Sequence, residues 1–408
     1  VAAVQAYRLV PDMSMNAYYA DLHIHIGRTE AGEAVKISAA NNLTFYNIAQ
    51  EASERKGIDM IGIIDCHSPG VQREMLHYLD TGEMEELEGG GIRFHRTTVL
   101  LGCEIEVRDP GLGTAHLLAY LPKLGDMQSF TEWLRKHMKN VQLSSQRIYV
   151  TARELQREVI ARGGILIPAH IFTPHKSVYG SCSTRMEHLL DLDGIAAVEL
   201  GLSADTVMAG YISELDRYTF LTNSDAHSLP KIGREYNKLA LKAPTFEELR
   251  KALSQEDGRR VLTNYGLNPR LGKYHRTYCG DCSSILDEQG QTAVERCLYC
   301  GSLRIVRGVM DRILSLADRE EPRVAPDRPP YCYQVPLEYI PGLGPKTFNR
   351  LIERFGSEMN LLHRVSFEEL ADAAGETIAG YIMEARAGTL RLDTGGGGKY
   401  GKVSARQQ

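Results

Sequence analysis

The sequence predicts an α/β barrel followed by a small cysteine-built module and an all-helical unit. Three observations predict it. Between residues 18 and 253, short apolar runs suited to strands alternate with helical ones, the pattern of a largely parallel sheet or barrel wrapped by helices. Two Cys-x-x-Cys pairs, Cys279/Cys282 and Cys297/Cys300, come next. A glycine hairpin, Pro341-Gly342-Leu343-Gly344-Pro345, then opens an amphipathic stretch.

The strand-like runs lie at 18–26, 60–66, 97–107, 115–121, 164–171, 196–202 and 219–223. The clearest helix follows Thr44, a fitting N-cap. Phe45, Ile48, Ala49 and Ala52 repeat at helical spacing and Gly57 closes it. Further helices fit 130–140, 151–162, 186–192 and 246–253. Residues 1–14 read as a tail, with Met15 as a natural start. With 43 % hydrophobic and 24 % charged residues, the composition is that of an ordinary globular protein. A net charge of −5 gives no global reason to bind a polyanion, so any such site must be local. No apolar run is long enough to span a bilayer, and no signal peptide is recognisable. Eight cysteines, four of them in two close pairs, suit metal binding in a reducing cytoplasm better than a disulfide framework.

In α/β barrels chemistry collects at the C-terminal ends of the strands. Here His23 and His25 close the first run, and their i, i+2 spacing puts both imidazoles on one strand face. Asp65 and His67 close the second. Glu104 and Glu106 lie in the third, and His116 opens the fourth. His170 ends the fifth, Glu199 is late in the sixth, and Asp225 and His227 follow the seventh. Imidazoles and carboxylates at buried strand ends are costly unless satisfied, so the set predicts a multi-metal site. His77, His95, His137 and His188 fall on helices or loops and read as surface or packing residues.

After residue 258 the composition changes. Arg259, Arg260, Arg270, Lys273 and Arg276 are interleaved with Tyr265, Tyr274 and Tyr278, with no acid from 259 to 278. Basic charge with aromatics suits a nucleic-acid backbone and unstacked bases. Cys279, Cys282, Cys297 and Cys300 have the spacing of a structural tetrathiolate zinc site, whose metal supplies folding energy that a small module lacks. Residues 304–317 read as a helical connector and 321–336 as extended. In the glycine hairpin, Gly342 and Gly344 permit the turn around Leu343, and the helix from Pro345 offers free N–H groups to a phosphate, with Lys346 and Thr347 beside them. Residues 367–386 look like a second, degenerate copy. The stretch 395–402 is flexible by composition. The units are therefore a tail (1–14), a barrel (15–258), a basic linker with the zinc module (259–303), a helical unit (304–394) and a glycine-rich tail (395–408).

The series His-x-His, Asp-x-His, Gly-x-Glu, a lone histidine and a final Asp-x-His resembles the polymerase and histidinol phosphatase (PHP) superfamily. That resemblance implies a distorted (β/α)7 barrel holding two or three ions. Its ligands would be His23, His25, His67, Glu104, His116, His170, Asp225 and His227, with Asp65 as a further member. The choice of Glu104 over Glu106 rests on the Gly-x-Glu pattern. The further histidine that many relatives carry is absent from Gly27-Arg-Thr-Glu-Ala-Gly32. Mixed histidine and carboxylate ligands favour Zn²⁺, with Mn²⁺, Fe²⁺ or Mg²⁺ as alternatives, and clustered ions suit phosphoester hydrolysis. Catalysis would fall to Asp225, Glu104, His23, His25 and His227, with Asp225 indispensable. Lys176 and His175 are placed to assist the phosphate.

The glycine hairpin resembles a helix-hairpin-helix, a DNA-backbone binder. The whole order of modules, with Asn268-Pro-Arg-Leu-Gly-Lys-Tyr-His-Arg-Thr277 between barrel and zinc module, resembles endonuclease Q. That implies incision 5′ to deaminated bases or abasic sites in double- or single-stranded DNA, with the lesion nucleotide flipped out. Arg270, Lys273, Tyr274, His275, Arg276, Lys176, Gly342, Leu343, Gly344, Lys346 and Thr347 would contact DNA. A monomer in the cytoplasm near the nucleoid, with a sliding clamp as candidate partner, completes the expectation. A PHP-type exonuclease, a small-molecule phosphoesterase and an inactive DNA-binding scaffold are the alternatives.

Overall fold

The first strand, Asn16–Ile24, is buried along its C-terminal two thirds and uses both edges. Its first half pairs antiparallel with Tyr236–Leu241, and its second half pairs parallel with Met60–Ile63. The structure, a computed structural model, describes residues 15–286 and 294–403. The expected tail 1–14 and the end of the glycine-rich segment lie outside the described residues.

From Met60–Ile63 the sheet runs parallel to Thr97–Val107, then antiparallel to Ala115–Leu121 and Ile165–Pro168. The sheet is therefore mixed, not largely parallel. The short turn after Val107 cannot make a crossover, so the chain returns antiparallel. The ring continues through Ala196 N to Leu166 O and Ile171 N to Glu199 O, and the short parallel pair Val198–Glu199 and Phe220–Leu221 follows. It closes on the first strand, where His25 N donates to Ala226 O at 3.1 Å and Ala226 N to His23 O at 3.2 Å. The result is a distorted seven-stranded barrel. Ala20, Leu22, Met60, Leu100, Leu118, Tyr120, Ile167 and Leu221 belong to one buried core. At Gly62 a Cβ would lie 2.3 Å from Leu22 O, so only glycine lets the first two strands approach.

The wrapping helices keep their sequence signals in part. Thr44, Thr151 and Thr245 each cap a helix by accepting a backbone N–H. The helix expected at 130–140 runs instead over Leu124–Arg135, because the chain turns away to set Met138 beside Ile148. Residues 186–192 give only two isolated turns. Pro69–Asp80 is a helix that the apolar pattern did not reveal, although Ser68-Pro69 is a start signal.

The barrel sheet continues past residue 258. Arg260–Gly266 pairs with Tyr236–Leu241, and Tyr331–Tyr333, at the end of the proline-rich stretch, adds to its far edge. The start of the expected basic linker is thus a strand, and Arg259 is buried against Glu248 at 2.9 Å. The cysteine module hangs on a small pair, Tyr278–Cys279 with Ile305–Val306. The connector helix is Val309–Leu316. The helical unit comprises Pro345–Phe355, Glu358–His363, Phe367–Ala374 and Glu376–Ala387, the third with a full capping box from Ser366 and Glu369. Among the described residues no helix is long and apolar enough to cross a membrane.

The helical unit is seated on the barrel wall through His363. Its ring stacks on Tyr19 at 4.7 Å, meets Tyr265 edge-on at 5.0 Å and shares a 2.7 Å hydrogen bond with Tyr236 Oη. A largely buried Lys56–Glu358 pair at 2.7 Å lies beside it. Burial, with Lys238, Arg386 and Arg364 nearby, pushes the His363 imidazole down to about 4. The unfolded chain takes up that proton near 6.5, the folded one only near 4. Between these values the unfolded state binds more protons, so stability is full above about pH 6.5 and is lost as pH falls toward 4. We expect thermal melting of the full chain to show this loss, worth about 2–3 kcal/mol. His363→Phe should flatten that part of the curve, and an unchanged pH dependence would contradict the docking role.

Candidate metal centre

The barrel closure decides where the site forms. Asp225 precedes Ala226, the residue stitched between His23 and His25, and takes a left-handed φ of 46°. His170 at the end of its strand is also left-handed, at 30°. For L-residues this backbone is held at a cost, which here turns both side chains into the mouth.

Glu104 is the centre. Its side chain is 1 % exposed and four imidazoles surround it: His116 Nδ1 at 2.8 Å, His170 Nε2 at 3.4 Å, His23 Nε2 at 3.6 Å and His25 Nε2 at 3.7 Å. Asp225 Oδ1 lies 3.5 Å from His23 Nε2 and 3.6 Å from His25 Nε2. The separations around His23 and His25, 3.5 to 3.7 Å, are long for hydrogen bonds. They match the roughly 3.4 Å spacing of donors around a tetrahedral ion with bonds of about 2.0–2.1 Å. His23 Nε2 is buried without a hydrogen-bond partner, as a nitrogen reserved for an ion would be. His23, His25 and Glu104 can hold one ion, and Glu104, His116 and His170 another, while Asp225 converges with His25 and His227. His227 joins at the rim, with Nδ1 3.6 Å from Asp225 Oδ1.

The electrostatics agree. Burial opposes ionisation of Glu104, but His116 and Lys36 outweigh it and hold the carboxylate well below its usual range. Asp225 is likewise held low against burial by His23, His227 and His25. Burial would push His23 down, yet Glu199 and Asp225 raise it to about 10. The site is a negative field that demands cations.

Two expected ligands are not brought in. Asp65 accepts from His25 Nδ1 at 3.1 Å and Ile26 N at 2.8 Å, so it orients His25 instead of facing the ions. His67 Nε2 lies 3.3 Å from Leu143 O, and among the described residues His67 enters no ion-holding group. Glu199 performs for His23 what Asp65 does for His25, with its oxygens 3.0 and 3.1 Å from His23 Nδ1. It is fixed by Asn223 Nδ2 at 2.7 Å and His170 N at 3.0 Å. Glu199 stood at a strand end in the sequence, but nothing there gave its role. Lys36 and Tyr400 carried no signal.

A cavity of about 200 Å³ opens above the centre. Lys176, Lys273, Tyr274, Leu202, Ser203 and Tyr400 line its upper wall. Lys176 is tied to Glu106 at 2.9 Å. Tyr400 arrives on the glycine-rich segment, which folds back through Gly395 N to Arg270 O and Gly401 N to Leu271 O. Composition suggested a flexible tail. The close approach that only glycine permits, with a Cβ at Gly401 meeting Asp393 O at 2.2 Å, makes it a wall of the cavity. Arg270 is exposed, and His275 and Arg276 are half-buried in the same loop. Away from the cavity, Cys279 and Cys300 sulfurs lie 3.5 Å apart and Cys282 and Cys297 sulfurs 3.6 Å apart. That is far beyond a disulfide and close to the spacing around a tetrathiolate zinc. In the helical unit Gly342, at φ 80°, and Gly344 and Lys346 are exposed, Thr347 is half-buried and Leu343 is buried as the hairpin's anchor.

Comparison with known proteins agrees with this geometry. A family model described as PHP-associated matches residues 208–257. The chain is 50 % identical over 391 residues to protein YqxK of Bacillus subtilis, spanning 95 % of this chain and all of that one. The crystal structure of the lesion-specific endonuclease PfuEndoQ from Pyrococcus furiosus superposes with a TM-score of 0.81 at 33 % identity over 95 % of each chain. The chain belongs to the endonuclease Q family. A structure of endonuclease Q in complex with a 27-mer duplex substrate, with an abasic lesion at the active site, matches at TM-score 0.82 and 32 % identity, over 96 % of this chain and 97 % of that one. An endonuclease Q chain of this kind is a PHP-type metal-dependent hydrolase, and the imidazole–carboxylate mouth is where its ions fit.

Glu199→Gln should weaken metal binding about 10–100-fold, read by competition with a chelating dye, because His23 loses its orienting carboxylate. Unchanged affinity would remove Glu199 from the centre.

Proposed function

We propose that the chain is a DNA-repair endonuclease that incises on the 5′ side of a deaminated base or abasic site and leaves a 3′ hydroxyl and a 5′ phosphate. The observation that carries this reading is the stacking of two layers in one cavity: a Glu104-centred donor cluster as floor, and Lys273, Tyr274 and Tyr400 as wall. The family supports it, since one relative is described as lesion-specific and another holds a duplex with its abasic lesion at the active site.

His23, His25, Glu104, Asp225, His116 and His170 would hold the ions. Zn²⁺ is the best match to this donor set. Divalent ions bound there supply an acidified water and a clamp for the phosphate oxygens. The protein's own groups set the geometry. Glu199 and Asp65 fix the two strand imidazoles, and Asp225 is turned in by its backbone. Lys273 lies 4.8 Å from the Tyr274 ring centre and 5.9 Å from that of Tyr400, placing charge beside two aromatic faces. An unpaired nucleotide can stack there while its phosphate reaches the floor. A damaged base pairs weakly, so extruding it costs less than extruding a normal one, which makes flipping part of the selection. The hairpin Gly342–Gly344 and the exposed N-terminus of Pro345–Phe355 hold a backbone phosphate at a distance from the cut. The His363 docking fixes that distance.

The test is a labelled duplex with one internal deoxyinosine, deoxyuridine or abasic site, with the product mapped to the nucleotide. We expect one cut 5′ to the lesion and none in the undamaged duplex. Asp225→Asn should lower the rate at least 10³-fold while binding stays within a few-fold. Lys346→Ala should weaken binding to any duplex and reduce the salt slope by about 1. Digestion only from free ends, or cutting by Asp225→Asn, would overturn the reading.

A further inference from the structure

Behind the mouth lies a buried arginine that neither the ion-holding groups nor the cavity wall includes. Arg234 follows Gly233, which takes a left-handed φ of 71° and donates its N–H to Asp21 Oδ2 at 2.8 Å. A guanidinium is seldom buried without a carboxylate partner. Among the described residues the hydrogen bonds of this one go to two successive backbone carbonyls. Nε donates to Ser224 O at 2.7 Å and Nη2 to Asp225 O at 3.3 Å. On the other side of the same turn, buried Asp21 accepts from Ser224 N through Oδ1 at 3.0 Å. Ser224 is thus gripped at its N–H by Asp21 and at its carbonyl by Arg234. His227 Nδ1 lies 3.0 Å from Asp225 O and completes the frame.

The residue held in this frame is Asp225, at φ 46°. A left-handed L-residue persists only where its surroundings over-determine it. A charged donor on two consecutive carbonyls is a strong constraint of that kind. The guanidinium also faces Tyr400, whose ring centre lies 5.7 Å from its central carbon. Lys273 Nζ lies 5.9 Å from the same ring centre. Asp225, Lys273 and Tyr400 all line the mouth cavity, and Arg234 stands behind them. One rigid planar group therefore touches both the turn that aims Asp225 and the aromatic wall above it. A lysine ammonium offers neither the fork nor the flat face needed to meet all three partners.

We propose that Arg234 is a positioning residue for incision. It pins the Asp225 turn from behind and holds Tyr400 against it, so that the aspartate carboxylate and a nucleotide stacked on Tyr400 keep one spacing. Arg234 does not meet the DNA itself. The part concerning the nucleotide rests on the nuclease reading above, and the pinning of Asp225 does not.

The test uses the full chain with two readings, metal affinity by competition with a chelating dye and incision kinetics at saturating metal. Arg234→Met keeps the stem and removes the donors. It should bind metal in the mouth about 10-fold more weakly, because Asp225 is no longer aimed at His25 and His227. It should also lose about 30–100-fold in kcat with KM within about threefold, since the other DNA contacts are untouched. Arg234→Lys keeps a cation without the fork and is the milder change should Arg234→Met not fold. It should lie at least about threefold below wild type in both readings. Wild-type metal affinity in Arg234→Met, or wild-type behaviour of Arg234→Lys in both readings, would overturn the pinning. Tyr400→Leu should cost at least about threefold less in kcat/KM when added to either Arg234 variant than when made alone, and additive losses would overturn the link to the wall. If wild type cuts no lesion-bearing duplex, the nuclease reading and the nucleotide spacing fail together, while the dye titration still decides the pinning.

Discussion

A single buried carboxylate organises this molecule. Glu104 sits at 1 % exposure in the middle of a strand, where an unpaired charge would be prohibitive. Four imidazoles from three separate segments, and one ammonium, are drawn around it. Each reaches it because the barrel closes where it does. Ala226 is hydrogen-bonded between His23 and His25, which sets Asp225 opposite both. The left-handed backbone at His170 and Asp225 is the local cost of aiming two more groups at the same point. Those groups aim their ligand atoms into one space, so a place for cations is built into the fold.

The later modules are fastened to the same barrel. Tyr331–Tyr333 extends the barrel sheet, His363 is wedged among three tyrosines of its wall, and the glycine-rich segment returns to close the cavity. The exposed hairpin is therefore fixed in place relative to the Glu104 cluster. The cysteine module stands apart from the chemistry. Its four sulfurs converge on one another away from the cavity, and its first strand follows directly on the loop that carries Lys273 and Tyr274.

Much of this was legible in the sequence because strand ends are informative. His23, His25, Glu104, His116, His170 and Asp225 were readable from their positions after apolar runs, and the structure brings them together. Asp65 and His67 have the same signature, yet they face a neighbouring imidazole and a carbonyl. Period alone cannot tell a ligand from a group that orients one. Lys36 and Tyr400 were not legible. Each reaches the site through a loop whose return depends on close backbone approach at glycine, a three-dimensional fact with no local pattern. The mixed sheet was missed for a similar reason, since alternation of strands and helices predicts parallel pairing unless the short connection after Val107 is weighed.

The central claim is that the imidazoles and carboxylates gathered at Glu104 would hold divalent ions. Anomalous diffraction from crystals of the full chain, collected at the zinc edge, tests it most directly. The account predicts anomalous peaks within ligand distance of the Glu104 carboxylate, and one among the four cysteine sulfurs. A map with the cysteine peak present and nothing at Glu104 would contradict it.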